Sequence, residues 1–204
     1  MFKGSIVALV TPMLSNGDVD FSQLEALINF HVNEGTQALV IAGTTGESAT
    51  LSPVEHCDLL NKSYEMINRR LPMIAGTGAN STSEAIELTR CAAECGAEAA
   101  LLVTPYYNKP TQRGLVLHHQ AIAEAVAIPQ LLYNVPGRTA CDMQADTVAE
   151  LAKVPNIVGI KEATGSMERL ADIKRQVGAD FALLTGDDAT TCEFILNGGH
   201  GAIS

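Results

Sequence analysis

Short apolar runs alternate along the chain with turns and helical segments. A run such as residues 38–42, which contains no polar side chain, is typical of a strand that is buried on both faces of a parallel sheet. Ser52, Pro53 and Glu55 together give an N-terminal cap, a first-turn proline and an acidic residue, which is a helix start. The pattern predicts strands at 5–10, 38–42, 72–75, 99–104, 130–135, 157–161, 181–185 and 201–204, and helices near 20–35, 52–70, 81–95, 111–127, 143–153, 166–177 and 188–197.

Strict alternation of strands and helices predicts parallel strands that are joined by right-handed crossovers. Eight strands fit an α/β fold of the (β/α)₈ TIM-barrel type better than an open sheet. The alternative is a doubly wound sheet, which would usually have a glycine-rich phosphate turn after an early strand. The segment Gly76-Thr77-Gly78 lacks the third glycine of that turn, so the barrel is favoured.

The length of the chain bears on the domain organisation. A complete barrel of this type takes about 250 residues, whereas this chain has 204 and stops in or just after its eighth strand. We therefore expect one TIM-barrel catalytic domain over residues 1–204, truncated at the eighth strand, with the eighth helix and the C-terminal helices missing.

The charge balance excludes two classes of partner. The formal net charge is −10, and the 13 Lys and Arg residues form no cluster, although nucleic acids and anionic membranes are both held by clustered basic residues. The first apolar run, residues 6–10, is too short for a signal peptide or a membrane span. We expect a soluble protein of the cytoplasm that binds neither nucleic acid nor membranes.

The cysteines and histidines suggest no metal site and no disulfide framework. The five cysteines, at positions 57, 91, 95, 141 and 192, form no Cys-x-x-Cys pair, and their number is odd. We expect free thiols in a reducing compartment. His118 and His119 are adjacent, so they diverge on a helix and are expected to be structural rather than metal ligands.

Lys161 is the most reactive candidate, because it closes the apolar run 157–160. Desolvating an ammonium group is costly, so a lysine in such a place is either paired or has a lowered pKa. A neutral amine in a dry pocket can form a Schiff base with a carbonyl substrate. The alternative is a lysine that reaches solvent or pairs with Glu162.

Polar residues follow the carboxyl ends of the other predicted strands, where a parallel barrel has its active site. These residues supply a nucleophile, a proton shuttle and groups that bind a carboxylate. We find no Gly-x-Ser-x-Gly elbow and no P-loop that would indicate a competing chemistry. The strand-end candidates are Thr44 and Thr45, Tyr106 and Tyr107, Tyr133, Arg138, Lys161 and Gly186.

These segments resemble a known family. Residues 43–48 (GTTGES), 133–136 (YNVP) and 159–161 (GIK) are similar to motifs of the dihydrodipicolinate synthases, in the N-acetylneuraminate lyase superfamily of class I aldolases. The resemblance runs from Gly4 to Gly201, and Arg138, five residues after Tyr133, favours the synthases over the sialic-acid lyases.

The resemblance implies a lyase that condenses pyruvate with L-aspartate 4-semialdehyde on the diaminopimelate branch of lysine biosynthesis. Lys161 would form the imine with pyruvate, without a metal or an organic cofactor. Tyr133 would relay protons, linked to Thr44 and to Tyr107, which in this family crosses from a neighbouring subunit. The resemblance therefore implies a homo-oligomer, a dimer of dimers. The substrate-binding residues would be Thr45 for pyruvate, Arg138 for the semialdehyde carboxylate, and Gly186 and Ile203, which line the pocket with their backbones.

Some members of this family are inhibited by L-lysine in a cleft between subunits. Glu84 is the expected partner of the ammonium group of the inhibitor. Pro53 departs from the histidine that some sensitive enzymes have at that position. The residues that match the inhibitor site are Ser48, Ala49, His56, Asn80, Glu84 and Tyr106.

Two alternatives stay open at this point. The same imine on Lys161 would also serve another pyruvate-dependent class I aldolase, such as a sialic-acid lyase or a keto-acid aldolase. The predicted absence of the eighth helix raises a different class, which is an inactive fragment or a small-acid-binding module.

Overall fold

The computed structural model describes residues 2–204 of the chain. Eight parallel strands form one closed barrel in the order β1 to β8. The barrel closes where Gly4, Ser5 and Ile6 of the first strand pair with residues 201–203 of the last. The strands are β1 (Gly4–Ala8), β2 (Ala38–Ile41), β3 (Met73–Gly76), β4 (Ala99–Val103), β5 (Gln130–Asn134), β6 (Ile157–Glu162), β7 (Ala182–Thr185) and β8 (Gly201–Ile203).

The helices follow the strands as the alternating pattern predicts. Each of the seven predicted helices is present, and a short helix of four residues, absent from the prediction, lies between β5 and the next long helix. The (β/α)₈ barrel is confirmed, and the doubly wound alternative is wrong because the sheet has no open edge. The helices are α1 (Phe21–Asn33), α2 (Pro53–Ile67), α3 (Thr82–Cys95), α4 (Gln112–Ala125), α5 (Pro136–Thr139), α6 (Ala145–Leu151), α7 (Met167–Lys174) and α8 (Thr191–Leu196), and a 3₁₀ turn covers Ser48–Thr50.

Side chains of the strands alternate between two apolar layers. In β5, Leu131 and Tyr133 belong to the cluster that fills the barrel, together with Ile203 of β8. Leu132, between them in the chain, packs instead with Leu170 of α7 in the layer between sheet and helices. This alternation follows from the period of two in a β-strand, and it decides which polar side chains reach the interior at the strand ends.

Strand β6 contains one extra residue near its start. Gln130 pairs with Ile157, whereas the next residue of β5, Leu131, pairs with Gly159, so Val158 is a bulge. A change of one residue in register exchanges the two faces of a strand. The bulge therefore sets which side chains of β6 face the interior of the barrel.

Helix α2 begins as its sequence predicts. The Ser52 hydroxyl accepts a hydrogen bond from the backbone N–H of Glu55, and the Glu55 carboxylate accepts one from the backbone N–H of Ser52 at 2.9 Å. This reciprocal pair is a capping box, and it satisfies two backbone donors that the helix leaves free.

Two cysteines differ from the expectation of free thiols. Cys57 of α2 and Cys91 of α3 form a disulfide, with their Cα atoms 6.1 Å apart. The expectation fails because the partners lie on two helices that face each other, a proximity that no short spacing motif records. Cys95, Cys141 and Cys192 have free thiols.

Within residues 2–204, no helix is both long enough and apolar enough to cross a membrane.

Candidate active site

Lys161 and Tyr133 face each other at the carboxyl ends of β6 and β5. They are register partners in the parallel ladder, and the Lys161 Nζ atom lies 4.3 Å from the centroid of the Tyr133 ring. Both are buried, with 7% of Lys161 and 6% of Tyr133 exposed. An ammonium over an aromatic face gains a cation–π attraction, so the ring holds the amine at a fixed place in the barrel.

The environment of Lys161 favours the neutral amine. Burial lowers the pKa of Lys161 to about 8; the charge of Asp188 acts to raise this pKa and that of Arg138 to lower it. No carboxylate of residues 2–204 lies within 4 Å of its Nζ atom. The alternative that Lys161 pairs with Glu162 or reaches solvent is therefore wrong: Glu162 is the next residue of the strand and points to the opposite face.

Tyr133 is held as the neutral phenol. Burial raises its pKa, and the Thr44 side chain and the charge of Arg138 act in the opposite direction. Thr44 and Arg138 are therefore near enough to Tyr133 to influence its pKa. The backbone carbonyl of Tyr133 accepts a hydrogen bond from the backbone N–H of Thr104 at 2.9 Å, which fixes the end of β5 against the residue that follows β4.

Gly186 lies directly against the side chain of Lys161. A Cβ atom at position 186 would overlap with Cε of Lys161 and would lie 3.0 Å from Cβ of Ala163. Gly186 also donates its backbone N–H to the carbonyl of Glu162 at 2.9 Å. The absence of a side chain at this position leaves room for the lysine. Ile203, on β8, is fully buried in the interior cluster.

Thr44 and Thr45 lie in the turn after β2, exposed at the mouth of the barrel. The turn contains two non-glycine residues with positive φ, Ala42 at 54° and Glu47 at 59°. Such backbone conformations persist where surrounding contacts enforce them. The Thr11 hydroxyl supplies one such contact, a hydrogen bond to the carbonyl of Gly46 at 2.7 Å.

Arg138 is carried by α5, the four-residue helix that the sequence did not predict. Its backbone N–H donates to the carbonyl of Val135 at 2.9 Å, and its side chain is exposed. Thr139, the next residue, is buried and donates its hydroxyl to Val135 O at 3.2 Å. The buried threonine anchors the helix, so that the guanidinium extends over the barrel mouth.

Tyr107 does not join the other predicted catalytic residues within this chain. It is 89% exposed and has a positive φ of 73°. Its neighbour Tyr106 turns inward instead, and the Tyr106 backbone carbonyl accepts a hydrogen bond from Asn80 Nδ2 at 3.2 Å. Tyr106 therefore packs within this chain, whereas its neighbour Tyr107 is exposed.

A cavity of about 380 Å³ lies at the carboxyl end of the barrel; Lys161 and Tyr133 are not among the residues that line it. Thr44 and Arg138 line it on one side. The second part of the cavity is lined by five of the six residues that resemble the lysine site. The sixth, Asn80, donates a hydrogen bond to the backbone carbonyl of Tyr106. The five are Ser48, Ala49, His56, Glu84 and Tyr106.

His56 forms the buried floor of this second part of the cavity. Its Nε2 atom is 2.8 Å from the carbonyl of Gly76, and burial lowers its pKa, with the Gly76 carbonyl acting in the opposite direction. Burial also raises the pKa of Tyr106, to which the charge of Glu84 contributes. An uncharged imidazole and phenol therefore stand near one carboxylate, that of Glu84.

The structure also reveals polar residues that the sequence did not single out. Asn134, Asp142, Glu162 and Arg169 form one hydrogen-bonded network outside the barrel, behind Tyr133 and Lys161. The signal that could have found two of them is the period of the strand, since Asn134 and Glu162 directly follow the two interior residues. Among residues 2–204, no group of three or more His, Cys, Asp and Glu side chains is placed to hold a metal ion.

The closed barrel, with a buried lysine of lowered pKa at the carboxyl ends of its strands, is the arrangement expected of a (β/α)₈-barrel enzyme that forms a Schiff base. A model described as the Dihydrodipicolinate synthetase family matches residues 1–204. The chain belongs to this family.

Known proteins match this chain over its whole length. The 4-hydroxy-tetrahydrodipicolinate synthase of Thioalkalivibrio sulfidiphilus is 61% identical over 204 residues, which are 100% of this chain and 69% of that protein. The chloride-inhibited dihydrodipicolinate synthase from Acinetobacter baumannii, complexed with pyruvate, is 54% identical, has a TM-score of 0.98, and is matched over 100% of this chain and 70% of its own. The enzyme from Cyanidioschyzon merolae with lysine bound is 45% identical, with a TM-score of 0.96 and the same coverage.

Proposed function

We propose that this chain condenses pyruvate with L-aspartate 4-semialdehyde through a Schiff base on Lys161, giving 4-hydroxy-tetrahydrodipicolinate for lysine biosynthesis. The observation that carries the proposal is the buried Lys161 amine, with a pKa of about 8, against the ring of Tyr133. The names of the relatives, and the pyruvate complex of the Acinetobacter enzyme, support the choice of substrates.

The neutral Lys161 amine attacks the carbonyl carbon of pyruvate, and water leaves as the imine forms. The protonated imine withdraws electrons and acidifies the methyl group, whose loss of a proton gives an enamine. The enamine carbon forms a bond to the aldehyde carbon of the semialdehyde. The amine of that substrate then displaces Lys161 during cyclisation, which returns the free enzyme.

Proton transfer in these steps falls to Tyr133. Its phenol is neutral at physiological pH and lies beside Lys161 and Thr44, so it can donate a proton to the departing hydroxyl and recover it later. Tyr107 completes the relay in a neighbouring copy of the chain. Its exposed position, with 89% of its surface accessible, suits a side chain that crosses into another subunit. The active form that we propose is a homo-oligomer, a dimer of dimers, as the family resemblance implies.

The substrate carboxylates are bound by the strand-end loops. Thr45 and its backbone hold the carboxylate of pyruvate in the turn after β2. Arg138 binds the carboxylate of the semialdehyde at the mouth, where a planar guanidinium can donate two parallel hydrogen bonds. Gly186 and Ile203 line the space beside Lys161 with their backbones.

Trapping of the imine tests the proposal. The chain is incubated with pyruvate and borohydride, digested, and mapped by mass spectrometry. We expect a reduced pyruvate adduct on the peptide that carries Lys161, and none in Lys161→Arg. Lys153→Arg is the matched control, since Lys153 is exposed and remote from the cavity. A wild-type chain that gives no adduct after incubation with pyruvate and borohydride would reject the proposal.

A second candidate keeps the imine and changes the aldehyde. The exposed Arg138 at the mouth favours the semialdehyde, because it offers a bidentate partner for that carboxylate. In Arg138→Ala we expect turnover of the semialdehyde to fall while the pyruvate adduct still forms. Equal turnover in both proteins would favour a different aldehyde acceptor.

We propose in addition that L-lysine inhibits the enzyme from the second part of the cavity. The lysine-bound Cyanidioschyzon enzyme supports this site, and Glu84 is the carboxylate that would bind the ammonium group. The test is inhibition by millimolar lysine in the wild type and in Glu84→Gln, with Glu87→Gln on the same helix as a control. Unchanged activity in the wild type under lysine would contradict the site.

A further inference from the structure

Strands β5 and β6 end in two pairs of residues that face opposite sides of the sheet. Tyr133 pairs with Lys161, and the next residues, Asn134 and Glu162, pair with each other. Because side chains alternate along a strand, the first pair faces the barrel and the second faces the helices. Tyr133 and Lys161 on the inner face are therefore each followed in the chain by a residue of a second pair, called the counterpart pair, on the outer face.

The counterpart pair is buried and hydrogen-bonded. Asn134 is 0% exposed and Glu162 is 2% exposed. Asn134 Nδ2 donates to Glu162 Oε2 at 3.1 Å and to Asp142 Oδ1 at 2.9 Å, and its Oδ1 accepts from Met143 N at 2.9 Å. Glu162 Oε1 accepts from the backbone N–H of Thr164 at 2.8 Å. Both oxygens of Glu162 are therefore used as acceptors, by donors from two different segments.

Arg169 of α7 closes the network from the helix side. Its two terminal nitrogens donate to the two oxygens of Asp142, each at 2.9 Å, and Nη1 also donates to Met143 O at 2.7 Å. Nη1 lies 4.0 Å from Glu162 Oε2. Bidentate arginine–carboxylate pairs fix orientation as well as distance, so α7 is held firmly against the segment that contains Asp142.

The network joins three segments at or next to residues of the site. β5 carries Tyr133, β6 carries Lys161, and the segment with Asp142 follows α5, which carries Arg138. Asn134, Asp142, Glu162 and Arg169 are called the outer network below. None of the four touches the barrel interior directly, so they can affect the reaction only through the backbone of their neighbours.

We propose that Asn134 and Glu162 are positioning residues of the reaction: through the outer network they hold the ends of β5 and β6 so that Tyr133 and Lys161 stay in contact. This inference rests on the proposed function of Lys161. Displacement of a reacting group by about 1 Å can cost about 100-fold in rate, so a small shift between the two strand ends is sufficient for a large effect.

Glu162→Gln is the most direct test, because glutamine keeps the shape of the side chain and replaces one acceptor oxygen with an NH₂ donor. If the amide nitrogen of Gln faces Asn134 Nδ2, two donors meet; if it is turned over, it meets the donor Thr164 N instead. Either orientation breaks one bond of the outer network. Glu98→Gln is the matched control, since Glu98 Oε2 also accepts a backbone hydrogen bond, from Met73 N at 2.7 Å, at the opposite end of the barrel.

In Glu162→Gln we expect kcat to fall at least about tenfold, with a smaller change in the KM for pyruvate. We also expect a displaced midpoint in the pH profile of imine trapping, because Lys161 leaves its present surroundings. Glu98→Gln should keep the kcat and the midpoint of the wild type. A folded Glu162→Gln with wild-type kcat and midpoint would overturn the inference, and so would an equal fall of kcat in Glu98→Gln.

Asp142→Asn decides the matter if Glu162→Gln does not fold, because Asp142 lies at the partly exposed edge of the network. We expect a several-fold lower kcat and a displaced pH midpoint in this variant; wild-type values of both would overturn the inference. Failure of the proposed function is distinguishable, since the wild-type chain would then give no trapped adduct.

Discussion

Lys161 owes its lowered pKa to burial rather than to a partner. Only 7% of its surface is exposed, and desolvation penalises the ammonium form. Two charges act on the amine in opposite directions, with Asp188 raising its pKa and Arg138 lowering it. The guanidinium that we propose as the partner of the semialdehyde carboxylate therefore also favours the neutral form of the lysine.

Removal of the Asp188 charge should make Lys161 more reactive at low pH. The neutral fraction of the amine, and with it the rate of imine formation, should rise with pH through a midpoint at about 8. In Asp188→Asn the pKa loses a contribution that raises it, so the midpoint should move down by a fraction of a pH unit. The measurement is the rate of pyruvate trapping from pH 6 to 10. Asp180→Asn, an exposed carboxylate outside the site, should keep the wild-type midpoint.

A side chain at position 186 should displace the lysine. In Gly186→Ala the new methyl group would overlap with Cε of Lys161, so the amine must move away from Tyr133. We expect kcat to fall about 10- to 100-fold while the urea midpoint changes little. Gly178→Ala is the control, because nothing lies within 4 Å of a Cβ atom at that position. Wild-type kcat in Gly186→Ala would contradict the packing described.

Candidate site residues could be recognised in the sequence where chemistry and strand position coincide. Lys161 combines a charged group with an apolar run, and Tyr133 precedes a proline-containing turn, so both attract notice without a structure. Asn134 and Glu162 carry equally polar groups at equally informative positions. Their partners Asp142 and Arg169 lie in other segments, however, and no spacing within the sequence brings the four together.

At the scale of the element, α2 shows how a local signal supports a distant site. Its capping box fixes the first turn, and His56, which lies under the second part of the cavity, follows one residue after Glu55. The start of this helix therefore sets the position of the imidazole.

Loss of the cap should destabilise the chain without abolishing its fold. In Ser52→Ala we expect the free energy of unfolding to fall by about 1 kcal/mol, because the N-terminal N–H groups lose their acceptor. Urea denaturation checks this value. Ser15→Ala, in an exposed turn, is the control, and an equal loss there would show that the effect is unrelated to capping.

Elements were predicted well where they are long or strongly apolar. The strands, three to six residues each, emerged because runs buried on both faces are unbroken by polar residues. The helix α5 and the 3₁₀ turn were missed, because four and three residues are too few to show a helical period. The disulfide between α2 and α3 was missed for another reason, which is that it depends on how two helices pack.

At the scale of the whole molecule, the helix layer contains a buried pair of histidines. His118 and His119 of α4 are 6% and 0% exposed, and the Nδ1 atom of His118 is 2.9 Å from the Thr82 hydroxyl of α3. Burial lowers the pKa of His118 to about 4, and burial with the charge of His118 lowers that of His119 to about 3. Both rings are neutral in the folded protein.

These histidines should make the fold sensitive to acid. Their folded pKa values lie below the unfolded value of about 6.5, so the stabilisation is complete above pH 6.5 and is lost as the pH falls toward 4. The slope is about 1.4 kcal/mol per pH unit for each proton that only the unfolded chain binds. Urea unfolding at pH 7.5 and 5 measures it, and His119→Leu should reduce the difference. His31→Gln, a less buried histidine, should not.

The bulge at Val158 shifts the alternation of inward and outward side chains in β6 by one residue. The barrel interior takes every second residue of a strand, and the extra residue decides that Lys161 belongs to this set and Glu162 does not. If the same sequence paired from Ile157 without the bulge, every functional residue would be kept and yet a carboxylic acid, in place of an amine, would face the substrate. The chemistry of this enzyme is thus encoded by the phase of a strand as much as by the identity of its side chains.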